Sequence, residues 1–549
     1  SQTVTLTDAN TTATFRIPVE KENGVIENNA FAYAQYLTVN GKRLDWFSVD
    51  NMNLTLKLNS GNAANLEVPF QTESNALVLT TEADLLNLQK ALSSGDQAAI
   101  NALYALGNKT VSSYSEARAA LETAYYKLGG NITVTDSAFT GIGTSGTPFS
   151  GHFDGQGNTV TLQNNPTISG TYGLFGYVNT GANGVPVIEN LNVVANTTVT
   201  LNNSNAYVGT LAGVLYSGEL KNIKSTVTKL TVSGTAGNNK VLHLGGLIGN
   251  AVPSSVSNVS AEINGPLTAD VEADNIYLGG GFGSCVLPGP VTVTYNTGAQ
   301  LNAENTRSGG SVCIGGLVGY NASGDMDLRG SKLVNATDST FPISANASGE
   351  IHAGGWIGEL TDATASQERW LYVDGTTVMD GAFSVNANSS SSMVYAGGVA
   401  GSTNVSFSVS IKNYLNTVAV SGKIAGGLIG YAANSGEDKR LSIENSANGG
   451  VLTGTTVGGL IGNASVTQMT FSNALYVKTG DVAKAVGNQN TDAAGTIALN
   501  ADKVVNGIFG QTISDVLSAA APAVLTVSGN AKLDGTSLTY TEAGEQEII

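Results

Sequence analysis

Three histidines, His152, His243 and His352, are the first residues to weigh in this 549-residue chain, because imidazole is the commonest general base and transition-metal ligand. None has a Cys, Asp or Glu at metal-ligand spacing, so each reads as a structural or surface residue. Asp325 and Asp327 are the closest approach to an acidic pair, and Asp154 sits in the turn-like FDGQGN. A polysaccharide lyase or hydrolase needs carboxylates or a basic residue clustered on neighbouring elements, and neither feature recurs one repeat unit further on. The acidic pair follows no calcium-loop spacing. DGQGN lacks the lysine and following helix of a phosphate loop and reads as a turn. The expectation is no catalytic, cofactor-binding or metal residue.

The elements that would position such residues repeat. GTLAG at 209–213 is followed by GGLIG at 245–249, GGGFG at 279–283, GGLVG at 315–319, GGWIG at 354–358, GGVAG at 397–401, and GGLIG at 426–430 and 458–462. First glycines step by 36, 34, 36, 39, 43, 29 and 32 residues, the arithmetic of a solenoid whose loops vary. A second landmark is an apolar residue, a spacer and Asn, as at Asn222, Asn258, Asn413, Asn445 and Asn473. Asn tolerates the left-handed conformation, and its amide can bond to the copies above and below, which suits a stacked corner. After 462 the motif decays into DVAKAVGN.

Composition agrees with strands and turns. Charged residues make up 12% of the chain, glycine reaches 68 copies, and Ser, Thr and Asn separate short Val/Ile/Leu runs. A net charge of −17 without Lys/Arg clusters argues against a nucleic-acid partner. No apolar run is long enough for a transmembrane segment. The start at Ser1, without an initiator Met, fits a processed, exported protein. Cys285 lies six residues after the first glycine of its repeat, and Cys313 two before the next. That offset is about 26 Å along stacked strands at ~3.3 Å per residue, so no disulfide is expected.

The fold expected is all-β, a right-handed parallel β-helix over 131–480. A small antiparallel β domain (1–80) and short capping helices (81–130) precede it, and a cap with a strand tail (481–549) follows. Thr81 with Asp84 and Ser113 with Glu116 look like capping boxes, and Gly107 and Gly129 sit where helices stop. Ala117, Ala120, Leu121, Ala124, Tyr125 and Leu128 mark one helical face. In the glycine motif, the residue before it and its second and fourth positions are small or apolar except Thr210, and are assigned to the interior. The third positions, Leu211, Leu247, Gly281, Leu317, Trp356, Val399, Leu428 and Leu460, then point outward as an apolar line that reads as an interface.

At these residues the chain resembles the GLUG-motif proteins, bacterial surface proteins with a Gly-Leu-any-Gly repeat. The likeness covers about residues 81 to 480, with PFSGHFDGQGNTVTL at 148–162 resembling the segment that precedes such repeats and GLFG at 173–176 the first, incomplete copy. The resemblance implies an exported β-helix of adhesin type at a prokaryotic cell surface, without a shared catalytic site. The function expected is a non-enzymatic structural protein that assembles into a filament or surface layer. An adhesin or glycan-binding stalk is the alternative, with surface glycans or host ligands as partners, and a polysaccharide lyase or hydrolase a weaker one. Assembly is expected head to tail, the last strands adding to the β domain of a second copy. Its expected interface is Leu247, Leu317, Trp356, Leu428 and Leu460 with Val524, Leu525, Val527, Leu538, Tyr540, Ile548 and Ile549 of the tail.

Overall fold

The computed structural model describes residues 69–500, apart from 182–183, 287–288, 322–323, 362–368, 405–406, 434–439, 467, 479–480 and 492; beyond that span it describes only the backbone of short strands. Among these, Asn53–Lys57 pairs antiparallel with both Thr12–Arg16 and Phe47–Asp50. The strands that flank Asn40-Gly41, Leu37–Val39 and Lys42–Leu44, also pair antiparallel. Near the other end Ala531–Asp534 pairs antiparallel with Ser537–Tyr540, and Val527–Ser528 with Glu547–Ile548.

Between Leu77 and Asn500 the chain is all-β in character, its named strands pairing in parallel apart from three helices near the start. Helices α1 (Glu82–Ser94), α2 (Gln97–Leu106) and α3 (Tyr114–Glu122) lie close to the expected places. Thr81 closes a capping box, accepting from Asp84 N at 3.2 Å while the Asp84 carboxylate accepts from Thr81 N at 2.9 Å. Ser113 makes no such bond. The helical face expected to run on to Leu128 ends early, because Tyr125–Leu128 is a strand whose residues alternate in burial and pair with Leu77–Leu79 and His152–Asp154. Gly129 therefore ends a strand, not a helix. Tyr125 and Tyr126, aromatic residues that fit a half-buried pleated surface, favour that outcome.

The helices cover the first strands. Leu85, Leu88, Leu92, Ile100, Leu103 and Leu121 are buried in the same core as Phe149, Phe153 and Phe175. Two α1 side chains also complete the exposed backbone edge: the Glu82 carboxylate accepts from Thr135 N and Asp136 N, and the Gln89 amide accepts from Thr140 N and Gly141 N while donating to Ala138 O.

The glycine motif is a sharp corner between two strands. The approach strand ends on the first glycine, as in Ala206–Gly209 or Ser311–Gly315, and the exit strand begins at the fourth position, as in Ala212–Leu215 or Val318–Asn321. Exit strands from Phe175–Val178 to Ile461–Ala464 form one nine-stranded parallel sheet. In the approach strands Gly209 pairs with Gly245, then in turn with Gly279, Gly315, Gly354, Gly397, Gly426 and Gly458. Each sequence step between first glycines is therefore one step of register.

The interior assignment holds for the flanking and fourth positions, such as Leu244 and Ile248, which are fully buried. The outward assignment of the third position does not. Leu211, Leu247, Leu317, Trp356, Val399, Leu428 and Leu460 are all at 0% exposure, and a Cβ on Gly281 would face Leu317 and Val293. Period-two alternation holds only inside a strand. Here the strand stops at the first glycine and two residues bend, so the third and fourth positions both face the core.

Incomplete corners flank the eight full ones. In GLFG, Tyr172 pairs with Val208 and Phe175 with Ala212, so this corner has one residue fewer. The segment where the motif decays does the same: Val486 bridges Ile461, and Gly459 N and Leu460 N donate to Lys484 O and Ala485 O. The landmark asparagines behave as expected. Asn222, Asn258, Asn413, Asn445 and Asn473 all have φ between 45° and 53°. Asn258 Nδ2 donates to Asn222 Oδ1 at 3.0 Å, and Asn222 Nδ2 to Asn190 Oδ1 at 2.9 Å.

Candidate functional site

The residues able to do chemistry collect on the outside of the glycine corner. The fifth-position glycine brings backbone against backbone there: a Cβ on Gly249 would lie 2.6 Å from Val208 N, and on Gly319 2.5 Å from Leu278 N. Both contacts reach the approach strand of the preceding repeat. As a result, the side chain two residues before one first glycine meets the side chain five residues after the next. His243 meets Ser284, Tyr277 meets Tyr320, Cys313 meets Glu359, His352 meets Ser402, and Tyr395 meets Tyr431. Register neighbours stack too, with the Tyr207 and His243 rings 4.7 Å apart.

His243 is buried, and burial lowers its pKa to about 3, so the ring stays neutral. Its Nδ1 lies 2.8 Å from Ser284 Oγ, which donates onward to Asn250 Oδ1 at 3.0 Å. With its one proton so used, the serine accepts, which places the imidazole proton on Nδ1.

His352, expected to stand without partners, has several. Its Nδ1 lies 2.6 Å from Ser402 Oγ and 4.0 Å from Glu359 Oε1, and its Nε2 lies 3.4 Å from Glu350 Oε2. The hydrogen bond to His352 holds the Glu350 carboxyl below its ordinary value. Ser, His and Glu are the residue types of a hydrolytic triad, but the arrangement differs from one in burial. Ser402 is 2% exposed within an exit strand, so its hydroxyl is closed to a substrate carbonyl. Cys313 donates to Glu359 Oε2 at 3.3 Å, and burial followed by that carboxylate pushes its thiol well up. Burial does the same to Cys285, so both are unreactive free thiols.

The other candidates are scattered. His152 Nε2 lies 2.7 Å from Glu189 Oε1, with the Tyr125 ring stacked on it at 3.9 Å. Asp154 heads the asparagine ladder: its buried carboxylate accepts from Asn190 Nδ2 at 3.1 Å, from Gln156 N at 2.9 Å and from Gln156 Nε2. Asp327 is held by Arg329 through Nε at 2.8 Å and Nη2 at 2.6 Å, while Asp325 accepts from Trp370 N at 2.9 Å.

Of the expected interface, Leu247, Leu317, Trp356, Leu428 and Leu460 are removed by burial, and the Trp356 indole donates to the buried Tyr414 hydroxyl at 2.9 Å. Val524, Leu525 and Ile549 lie outside the described residues. Val527, Leu538, Tyr540 and Ile548 fall on tail strands described by backbone alone. Sequence reasoning missed the outer seam, although a signal was present: His243 and His352 share one motif position, and Ser284 and Ser402 another. Comparison with protein-family models, curated proteins and solved structures gave no match.

Proposed function

We propose that this chain is an exported, non-enzymatic structural protein of a prokaryotic cell surface, a right-handed parallel β-helix whose subunits assemble into a filament or surface layer. One observation carries the reading: side chains that could do chemistry are engaged with the neighbouring repeat, His243 with Ser284, Cys313 with Glu359, His352 with Ser402 and Asp154 with Asn190. In-register pairing from Gly209 to Gly458 supports one coil per repeat. Just beyond the strand Ile132–Val134, α1 occupies backbone donors between Thr135 and Gly141 through Glu82 and Gln89, which leaves fewer of them for a partner. Head-to-tail joining then falls to the tail strands, adding to the sheet of Thr12–Arg16, Phe47–Asp50 and Asn53–Lys57 in a second copy. Such contacts do not close and give fibres.

Light scattering and negative-stain microscopy on the intact chain and on a chain lacking 523–549 test this. Filaments or sheets from the first and a folded monomer from the second are expected. A monodisperse intact monomer at high concentration, or a truncated chain that still polymerises, defeats the assembly reading. A glycan-binding stalk is favoured by one separate feature, a tyrosine cluster near the first corners.

A further inference from the structure

Most of the outer seam is closed on itself. Tyr277 and Tyr320 stack at 4.2 Å and 9°, and Tyr395 and Tyr431 at 4.8 Å and 19°, so each ring covers its partner's face. The seam opens near its first corners. There lie Tyr177 on an exit strand, in register with the 2%-exposed Val214, Tyr207 on the next approach strand and Tyr216 just past the next exit strand. The Tyr177 and Tyr216 rings are 5.6 Å apart and tilted by 40°, and Tyr216 is 47% exposed. Burial and the nearby phenols raise the pKa of Tyr177 and Tyr207 together, as expected for hydroxyls that converge.

Two further observations bear on what this cluster could bind. Elsewhere Tyr126, Tyr172, Tyr295 and Tyr414 have their hydroxyls engaged by Leu121 O, Asn164, Gly316 O and Trp356. Those of Tyr177, Tyr207 and Tyr216 meet no hydrogen-bonding partner among the described residues, as is also true of Tyr277, Tyr395 and Tyr431, but the latter rings are stacked face to face while Tyr177 and Tyr216 are tilted apart. The surroundings also carry almost no charge. From Gly155 to Gly218 the single charged residue is Glu189, occupied by His152, in a chain of net charge −17. A row of hydroxyls runs alongside instead, Thr180 donating to Ser217 at 2.8 Å and Ser217 lying 3.0 Å from Ser254.

We propose that Tyr177, Tyr207 and Tyr216 form a binding platform for a neutral glycan. A pyranose presents an apolar C–H face and a rim of hydroxyls. The Tyr177 and Tyr216 faces take the first, since Tyr207 is already stacked on His243, and the three phenols with the Thr180–Ser217–Ser254 row take the second. A neutral sugar needs no counter-charge, and the patch offers none. An acidic glycan would be repelled by the net charge of the chain, and a cationic peptide would find only Glu189 and Glu219, already paired with His152 and Lys221.

Calorimetric titration of the full chain with cellohexaose, mannohexaose and chitohexaose tests the site, with thermal melts run in parallel. At least one sugar is expected to bind, and Tyr216→Ala to weaken it about tenfold with the melt unchanged. Tyr216→Phe keeps the ring, so it separates stacking from hydrogen bonding and is expected to lose less. Tyr177→Ala with Tyr216→Ala should abolish binding, while Tyr431→Ala, in the closed part of the seam, should leave it intact. Absence of binding by all three sugars, binding that survives the double substitution, or equal weakening by Tyr431→Ala overturns the proposal. The site assumes nothing about assembly. Light scattering of the same samples reads that separately, so either idea can fail alone.

Discussion

Inside the glycine corner, Leu244, Leu247 and Ile248 crowd the core on either side of Gly245 and Gly246; outside it, His243 reaches across a repeat to Ser284 and leaves Asn250 to accept the serine proton. The same short stretch of chain builds both sides by different rules. The inside is governed by volume: Leu, Trp, Val and even Gly occupy the third position, provided the facing sheet fills what is left. The outside is governed by pairs, His243 with Ser284, Cys313 with Glu359 and His352 with Ser402, each reaching a particular side chain in the next repeat. A volume error is therefore expected to unfold the corner, whereas a pairing error should cost less and depend on pH.

The largest effect is expected at Gly246. A Cβ there would collide with Gly280 O and with Ile263 Cδ1, and the first clash is with backbone that cannot rotate away. Gly246→Val should cost about 4 kcal/mol or more, read as a large fall in denaturant midpoint. A melt close to that of the parent would mean that the corner has slack. Trp356→Ala follows, at about 4 kcal/mol, from a buried void and an orphaned Tyr414 hydroxyl. If Trp356 lay outside, the same change would be nearly neutral. This variant therefore tests the inside assignment of the third position by itself.

The outer seam should show its difference through pH. His243 has its folded pKa lowered to about 3, whereas an unfolded histidine titrates near 6.5. Above about pH 6.5 neither state is protonated, and the full stability is present. As pH falls below that value the unfolded chain takes up the proton first, so stability declines by about 1.4 kcal/mol per unit until about pH 3. His243→Gln should remove this component and leave that of the carboxylates, which both proteins share. Urea titrations of parent and variant at pH 7 and pH 5 compare the two slopes. Equal slopes would mean that the imidazole is hydrated or charged in the folded chain.

What the sequence could reveal follows the same division. The register was legible because the first glycines are identical in type, and their spacing is the pairing step. The left-handed asparagines were legible because few other residues accept that conformation. The burial of Leu247 and Trp356 was not, since alternation restarts at a bend that periodicity does not mark. The seam was hidden by loop length: His243 and Ser284 are 41 residues apart, Cys313 and Glu359 46, and His352 and Ser402 50. Counted from the corner these are one constant offset, and counted along the chain they share no spacing. At Tyr125–Leu128, apolar spacing that suits a helix was overruled by pairing with strands on both sides.

The smallest effect expected is on the asparagine ladder, where conformation and pairing can be separated. Asn222 has φ 53°, donates to Asn190 Oδ1 at 2.9 Å and accepts from Asn258 Nδ2 at 3.0 Å. Asn222→Ala loses both bonds and also the short polar side chain that lets asparagine tolerate the left-handed region, which should cost about 2 kcal/mol. Asn222→Gly loses the same bonds but adopts that φ freely, so its cost should be about 1 kcal/mol. The difference between the variants is the conformational share, and the remaining loss in the glycine variant is the ladder's. Because every amide nitrogen in this ladder points toward the start of the chain, only its head can be a pure acceptor, the place that Asp154 fills. Denaturant titrations of both variants decide the matter. Equal costs would show that the ladder bonds, not the left-handed turn, select asparagine here, while a glycine variant as stable as the parent would show that the turn alone does.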